Sequence, residues 1–190
     1  MEDKGVIAIK KSARDLFRKY GYNKTSVNEL AKNACIAKAT VYKHFASKEL
    51  ILHAVLMDYI QDNVYDILNK NVKEKDLSTF LANTILRVSR VTYTVCNEFV
   101  GWDFIRVSAN AQEYLKTLSD DLEFLLLRSF MQNDTIGSMI PEERLNFLIK
   151  TSKSIVFSFA FTAVTEADVR KNFISFQKEM LPYLVQATLL

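Results

Sequence analysis

The sequence is poor in chain breakers, with four glycines and two prolines in 190 residues. A β-sandwich of this length needs turn residues about every 8–12 positions, so that class is excluded. Long helices joined by short loops are expected instead. There are two cysteines, Cys35 and Cys96, far apart and without CxxC or Cys/His spacing. This excludes a disulfide framework and a zinc site, and fits free thiols in a reduced cytoplasmic setting. Histidine occurs twice, at His44 and His53. No Gly-rich phosphate loop and no His-x-x-Glu set is present, so neither a catalytic constellation, a metal nor a cofactor is expected. Long apolar runs are missing as well. The most apolar stretch, Ile155 to Val164, carries Ser158 and Thr162. It falls well short of the roughly 20 residues that span a bilayer, and it reads as a buried helix. The start, Met1-Glu2-Asp3-Lys4, lacks the apolar core of a signal peptide.

What is present is an ordinary globular balance, 49% hydrophobic and 25% charged, with enough chain for one or two domains. The net charge of +3 is unevenly spread. Residues 1–55 hold eleven Lys/Arg against five Asp/Glu, a surplus of +6, whereas residues 56–190 carry −3. A basic head on a mildly acidic body suits a nucleic-acid-binding module joined to a domain with another task.

Helical periodicity runs through the chain. Val6, Ile9, Ala13, Leu16 and Phe17 recur at three- and four-residue steps, giving a first helix from Gly5 to Tyr20 that Gly21 stops. Lys10, Lys11 and Lys19 read mainly as its solvated face. Ser26 and Glu29 form a capping box for a second helix with Val27, Leu30, Ala31 and Ala34 inward. Cys35-Ile36-Ala37 is a turn, Lys38 to Phe45 a short third helix, and Ser47 caps a fourth running toward Leu68. Further helices are expected at 77–96, 98–110, 112–132, 141–164 and 166–189, with Pro141 and the Thr165/Asp168 pair as start signals. Asn133-Asp134 and Gly137-Ser138 mark an interhelix loop, and Pro182 is expected to kink the last helix. The fold class is therefore all-α, with about nine helices.

Within this pattern stand Ala13, Leu16, Phe17, Gly21, Tyr22, Thr25, Ser26, Leu30, Ala31, Ala34, Val41, Tyr42, His44, Phe45, Ser47, Lys48 and Glu49. At these spacings the segment resembles the N-terminal DNA-binding domain of TetR-family regulators. The physics is consistent: Leu30, Ala34, Ile36, Val41 and Phe45 can core a helix-turn-helix whose second helix enters the major groove. The resemblance implies a domain at residues 1–47 that binds double-stranded operator DNA. It implies a second domain at 48–190 that dimerises and binds a ligand. It implies phosphate contacts from Thr25 or Ser26, and from Thr40, Tyr42, His44 and Lys48. Lys38, Ala39 and Lys43 are expected to read bases, since Lys can donate to guanine and Ala can meet a thymine methyl. Tyr42 and His44 equally allow a packing role. Two positions depart from the family pattern. Cys35 stands where Gly is usual, at a cost of roughly 1 kcal/mol if the backbone is left-handed. Ala37 stands where Ser is common and removes a cap of about 1 kcal/mol.

In the body, the last two helices are apolar over more than one face, as for a helix packed on its own core and on a second copy. Phe159, Phe161, Phe173, Phe176, Met180 and Leu184 are the dimer candidates. Tyr93, Cys96, Phe99, Trp102, Arg106 and Phe157 are candidates for a pocket holding a small apolar or aromatic effector, and core packing explains the aromatics equally well. The reading is a cytoplasmic, ligand-responsive repressor, not an enzyme and without membrane contact. A helical interaction module, or a small-molecule enzyme, with a vestigial DNA-binding head is the alternative.

Overall fold

A computed structural model describes residues 3–70, 76–100 and 109–190. Among the described residues every regular element is helical. They are α1 (Lys4–Tyr20), α2 (Val27–Asn33), α3 (Lys38–His44), α4 (Lys48–Lys70), α5 (Leu77–Phe99), α6 (Ala109–Met131), α7 (Asp134–Met139), α8 (Glu142–Thr162), α9 (Glu166–Ser175) and α10 (Leu181–Leu189), with a π-helical turn at Phe176–Met180. The helix expected over 98–110 lies mostly outside the described residues.

The chain forms two compact units, residues 1–59 with 94–118, and residues 60–93 with 119–190. In the first, Asp3 caps α1 by accepting from the Gly5 amide, and Gly21 ends it at φ 82°. That left-handed angle costs glycine nothing. Ile9, Ala13 and Phe17 of α1 meet Leu30, Ala31 and Val41 in a core with little solvent exposure. Ile51, Leu52, Val55 and Leu56 of α4 are buried in the same unit, as are Cys96 and Phe99 of α5. Phe45, expected in the core, is only half-buried because it ends α3 in extended backbone.

In the second unit, α10 packs on α8 and so does α9. Tyr93, Phe159 and Phe173 form an aromatic cluster with ring centroids 5.2–6.5 Å apart, a favourable spacing for tilted and edge-on pairs. Two local expectations change. The stretch expected to be an open loop at 133–138 contains α7. The Asn133 side chain accepts from the Ile136 amide, Ile136 and Ile140 are buried, and Gly137 lets the turn close on the Met131 carbonyl, where a Cβ would lie at 2.1 Å. Near Pro182 the helix widens instead of simply bending. The Leu181 amide bonds five residues back to Phe176, a π-type turn just before the proline.

Candidate nucleic-acid interface and effector cavity

The helix-turn-helix is fastened by polar ties as well as by apolar packing. Buried Ser12 on α1 donates to the Leu30 carbonyl at 2.9 Å and accepts from Asn33 at 3.1 Å, joining α1 to α2. The Ser26/Glu29 capping box is complete, and these bonds hold the Glu29 carboxyl below its usual range. Lys10 pairs with Asp58 and the Arg14 guanidinium lies over the Tyr59 ring, tying α1 to α4. Lys10 is thus a tertiary contact where the sequence suggested mainly solvated surface. Ser47 accepts from the Leu50 amide and caps α4 as expected.

Tyr22 is the hub of the loop before α2. Its hydroxyl donates to Glu49 at 2.6 Å and its amide donates to the Phe99 carbonyl at 3.1 Å. The Lys48 ammonium sits 4.0 Å from the Tyr22 ring centroid and donates to the carbonyls of Tyr22 and Thr25, both at 3.0 Å. The Tyr22 hydrogen bond holds the Glu49 carboxyl below its usual range. Burial, then the Glu49 bond, pushes the Tyr22 hydroxyl up, and desolvation lowers Lys48. Sequence reading missed Tyr22 and Ser12 as ties. Ser12 left one signal, a lone hydroxyl beside the α1 apolar stripe.

The residues expected at DNA divide by environment. Thr25 is 2% exposed, and its hydroxyl donates to the Gly21 carbonyl at 3.0 Å and toward that of Leu16 at 3.4 Å. Its side chain is therefore withheld from solvent. Ser26 is exposed but caps α2. Lys48 is committed to the loop carbonyls. On α3 the outward face presents Lys38, Ala39, Tyr42 and Lys43, with Thr40 and His44 half-exposed. The Lys38 ammonium lies 5.8 Å from the Tyr42 ring centroid, and His44 lies 3.9 Å from Asp3. The turn shows both anomalies read from sequence. Cys35 has φ 56°, the one non-glycine positive φ among the described residues, and Ala37 caps α3 with no side-chain bond.

The signature described as bacterial regulatory proteins, tetR family, matches residues 9–55, which hold nearly all of this element. Residues 9–55 therefore carry the DNA-binding signature of the tetR family of bacterial regulatory proteins. Over 73 residues it is 40% identical to an uncharacterized HTH-type transcriptional regulator, YuxN, of Bacillus subtilis, covering 38% of this chain and 25% of that protein. Over 49 residues it is 37% identical to the A-factor receptor protein of Streptomyces griseus, covering 26% and 18%. The matched stretch thus spans a quarter or less of these curated relatives. Solved structures match over nearly the whole chain. A transcriptional regulator from Cytophaga hutchinsonii gives a TM-score of 0.66 at 16% identity, covering 99% of this chain and 100% of that one. The TetR family repressor AlkX from Dietzia gives 0.60 at 14%, covering 97% of each. RolR, solved with resorcinol, gives 0.59 at 15%, covering 97% and 92%. At these identities the likeness shows the fold.

The six pocket candidates separate. Trp102 and Arg106 lie outside the described residues. Cys96 and Phe99 are buried in the first unit, where burial pushes the Cys96 thiol up to about 12. Tyr93 belongs to the aromatic cluster. Phe157 lines a narrow slot of about 20 Å³ in the second unit, walled by Ile85, Val88, Leu122, Leu126, Ile149 and Val156. Polar lining comes from Ser89, Thr92, Ser152 and Lys153. Lys153 donates to the Ser119 carbonyl at 3.0 Å and pairs with Glu123 at 2.7 Å. The hydroxyls of Thr92 and Ser152 are buried and without a hydrogen-bond partner, an arrangement that typically costs about 1–3 kcal/mol.

The dimer candidates separate too. Phe159, Phe173 and Phe176 are at most 7% exposed and belong to the chain's own core. Phe161 and Met180 are exposed and Leu184 is half-buried. Ile174 and Tyr183, outside the six dimer candidates, are exposed as well.

Proposed function

We propose that this protein is a ligand-responsive transcriptional regulator, a cytoplasmic and non-enzymatic repressor that leaves its operator when a small molecule binds. The observation that carries the reading is the outward face of α3, held on a helix-turn-helix whose polar ties are complete. On this reading Lys38, Ala39 and Lys43 meet base edges. Ser26, Thr40, Tyr42 and His44 meet phosphates, and Thr25 and Lys48 act by fixing the loop that precedes α2. Functionally the chain divides into a DNA-binding head at 1–47 and a regulatory body at 48–190.

The body dimerises through its C-terminal helices. The exposed apolar side chains Phe161, Ile174, Met180 and Tyr183 on these helices support this, because exposed apolar surface is what a partner covers. A two-fold dimer places its α3 helices on half-sites one helical turn, or a multiple, apart. The slot of the second unit takes the effector. Helix α5 contributes Thr92 to that slot and the Phe99 carbonyl to the Tyr22 amide, so one helix links effector and DNA-reading loop through the chain itself. No helix among the described residues is long and apolar enough to cross a membrane.

Fluorescence anisotropy at moderate salt tests the reading, comparing a duplex from upstream of the protein's own gene with a scrambled duplex. The expected result is tighter binding to the upstream duplex. Equal affinity for both contradicts it.

A further inference from the structure

The inference rests on the effector-binding reading and adds the chemistry of the effector. Thr92 and Ser152 are 6% and 2% exposed, both line the slot, and neither hydroxyl has a partner. Hydroxyls on helices ordinarily bond the carbonyl one turn back. Ser154, Ser158, Thr162 and Thr188 of the same unit do so. The buried hydroxyls of Thr92 and Ser152 make no such bond, and they share one cavity.

The ionisable residue of the described lining is Lys153, whose charge is met by Glu123 at 2.7 Å. The slot therefore offers two unpaired hydroxyls, aliphatic walls and no uncompensated charge. Such a site accepts a neutral oxygen and penalises a carboxylate, which would enter without a counter-ion. At about 20 Å³ the slot fits a small head group only. Phe157 lines both the slot and an adjoining open groove of about 370 Å³, whose wall includes Phe161. We propose that the effector is an uncharged amphipathic molecule, such as a medium-chain alcohol or ketone. Its oxygen bonds the Thr92 and Ser152 hydroxyls, and its apolar tail passes Phe157 into the groove.

The test uses the full chain, with 1-hexanol and hexanoate as probes in saturation-transfer NMR titrations. Wild type is compared with the Thr92→Val/Ser152→Ala double variant. Hexanol is expected to bind wild type roughly tenfold or more tighter than hexanoate. The double variant should lose about fivefold in hexanol affinity. Its ligand-free Tm should rise by about 2–4 °C, because two unpaired buried hydroxyls are gone. Opposite signs in binding and stability mark a ligand site. A falling Tm with unchanged hexanol affinity, the result for hydroxyls that only hold a buried water, overturns the proposal. So does hexanoate binding as tightly as hexanol, or no hexanol binding. Operator anisotropy runs alongside. Specific DNA binding that survives while hexanol fails overturns this inference alone, and hexanol binding without operator preference overturns the repressor reading alone.

Discussion

The two units of the molecule differ in the buried polar atoms left without a partner among the described residues. In the first, Ser12, Tyr22, Thr25 and Lys48 are each bonded to a backbone carbonyl or a carboxylate. In the second, Thr92, Ser152 and Asn146 each carry a buried polar atom without a partner. A satisfied network fixes one geometry, as a head that must present α3 in register requires. An unsatisfied one lowers stability and leaves hydrogen bonds for a ligand to complete. Stability has been spent in the second unit where the first has secured it.

The comparison can be broken from the DNA side first. Lys43→Ala should cost about 1–3 kcal/mol of discrimination at particular base pairs. Anisotropy across single-base operator variants measures this, and equal loss on every variant removes Lys43 from base reading. The same isosteric change then probes both units. Thr25→Val should destabilise by about 1–2 kcal/mol, since it strands the Gly21 carbonyl. Thr92→Val should stabilise. Urea denaturation that moves both in one direction would erase the contrast.

The turn gives smaller effects. Cys35→Gly should stabilise by about 1 kcal/mol, by relieving the left-handed backbone at φ 56°. A lower urea midpoint in the glycine variant would show that the thiol packs usefully. Ala37→Ser should add about 0.5–1 kcal/mol by capping α3, and an unchanged midpoint would mean that solvent already serves those amides. The smallest effect is in pH. Glu49 has a folded pKa below its unfolded value, chiefly through the Tyr22 hydroxyl. The stability it contributes is present above the unfolded carboxylate range and is lost as pH falls through the lowered folded value. Glu49→Gln should therefore flatten the fall in urea midpoint on acidification. A slope identical to wild type would remove Glu49 from the acid response.

The helix-turn-helix was legible because its signals are local. The Ser26/Glu29 box, the Gly21 stop and the stripe from Leu30 to Val41 lie within a few residues of what they control. Cys35 and Ala37 stood out as departures at fixed positions, and the backbone bears both out. The carbonyl bonds of Thr25 and Lys48 were not legible. A threonine at a helix start and a lysine at the next offer the same chemistry to a phosphate as to a carbonyl, and which one they meet depends on how the Tyr22 loop folds back. Phe159, Phe173 and Phe176 show the same limit, for an apolar face does not say whether its cover is the chain itself or a second copy. The slot was harder still. Thr92 and Ser152 are sixty residues apart, and an unpaired hydroxyl leaves no trace in a sequence. Among the pocket candidates that lie in the described residues, Phe157 lines the slot.

By itself the sequence determined the all-α class, the helix-turn-helix signature, most helix boundaries and the turn that bears Cys35, because periodicity, capping and backbone sterics act over one or two turns. Only the tertiary structure decided which polar groups are paired. Partners such as Ser12 and Leu30, or Lys153 and Glu123, are brought together by packing, and the hydrogen bonds left over at Thr92 and Ser152 are what packing did not supply.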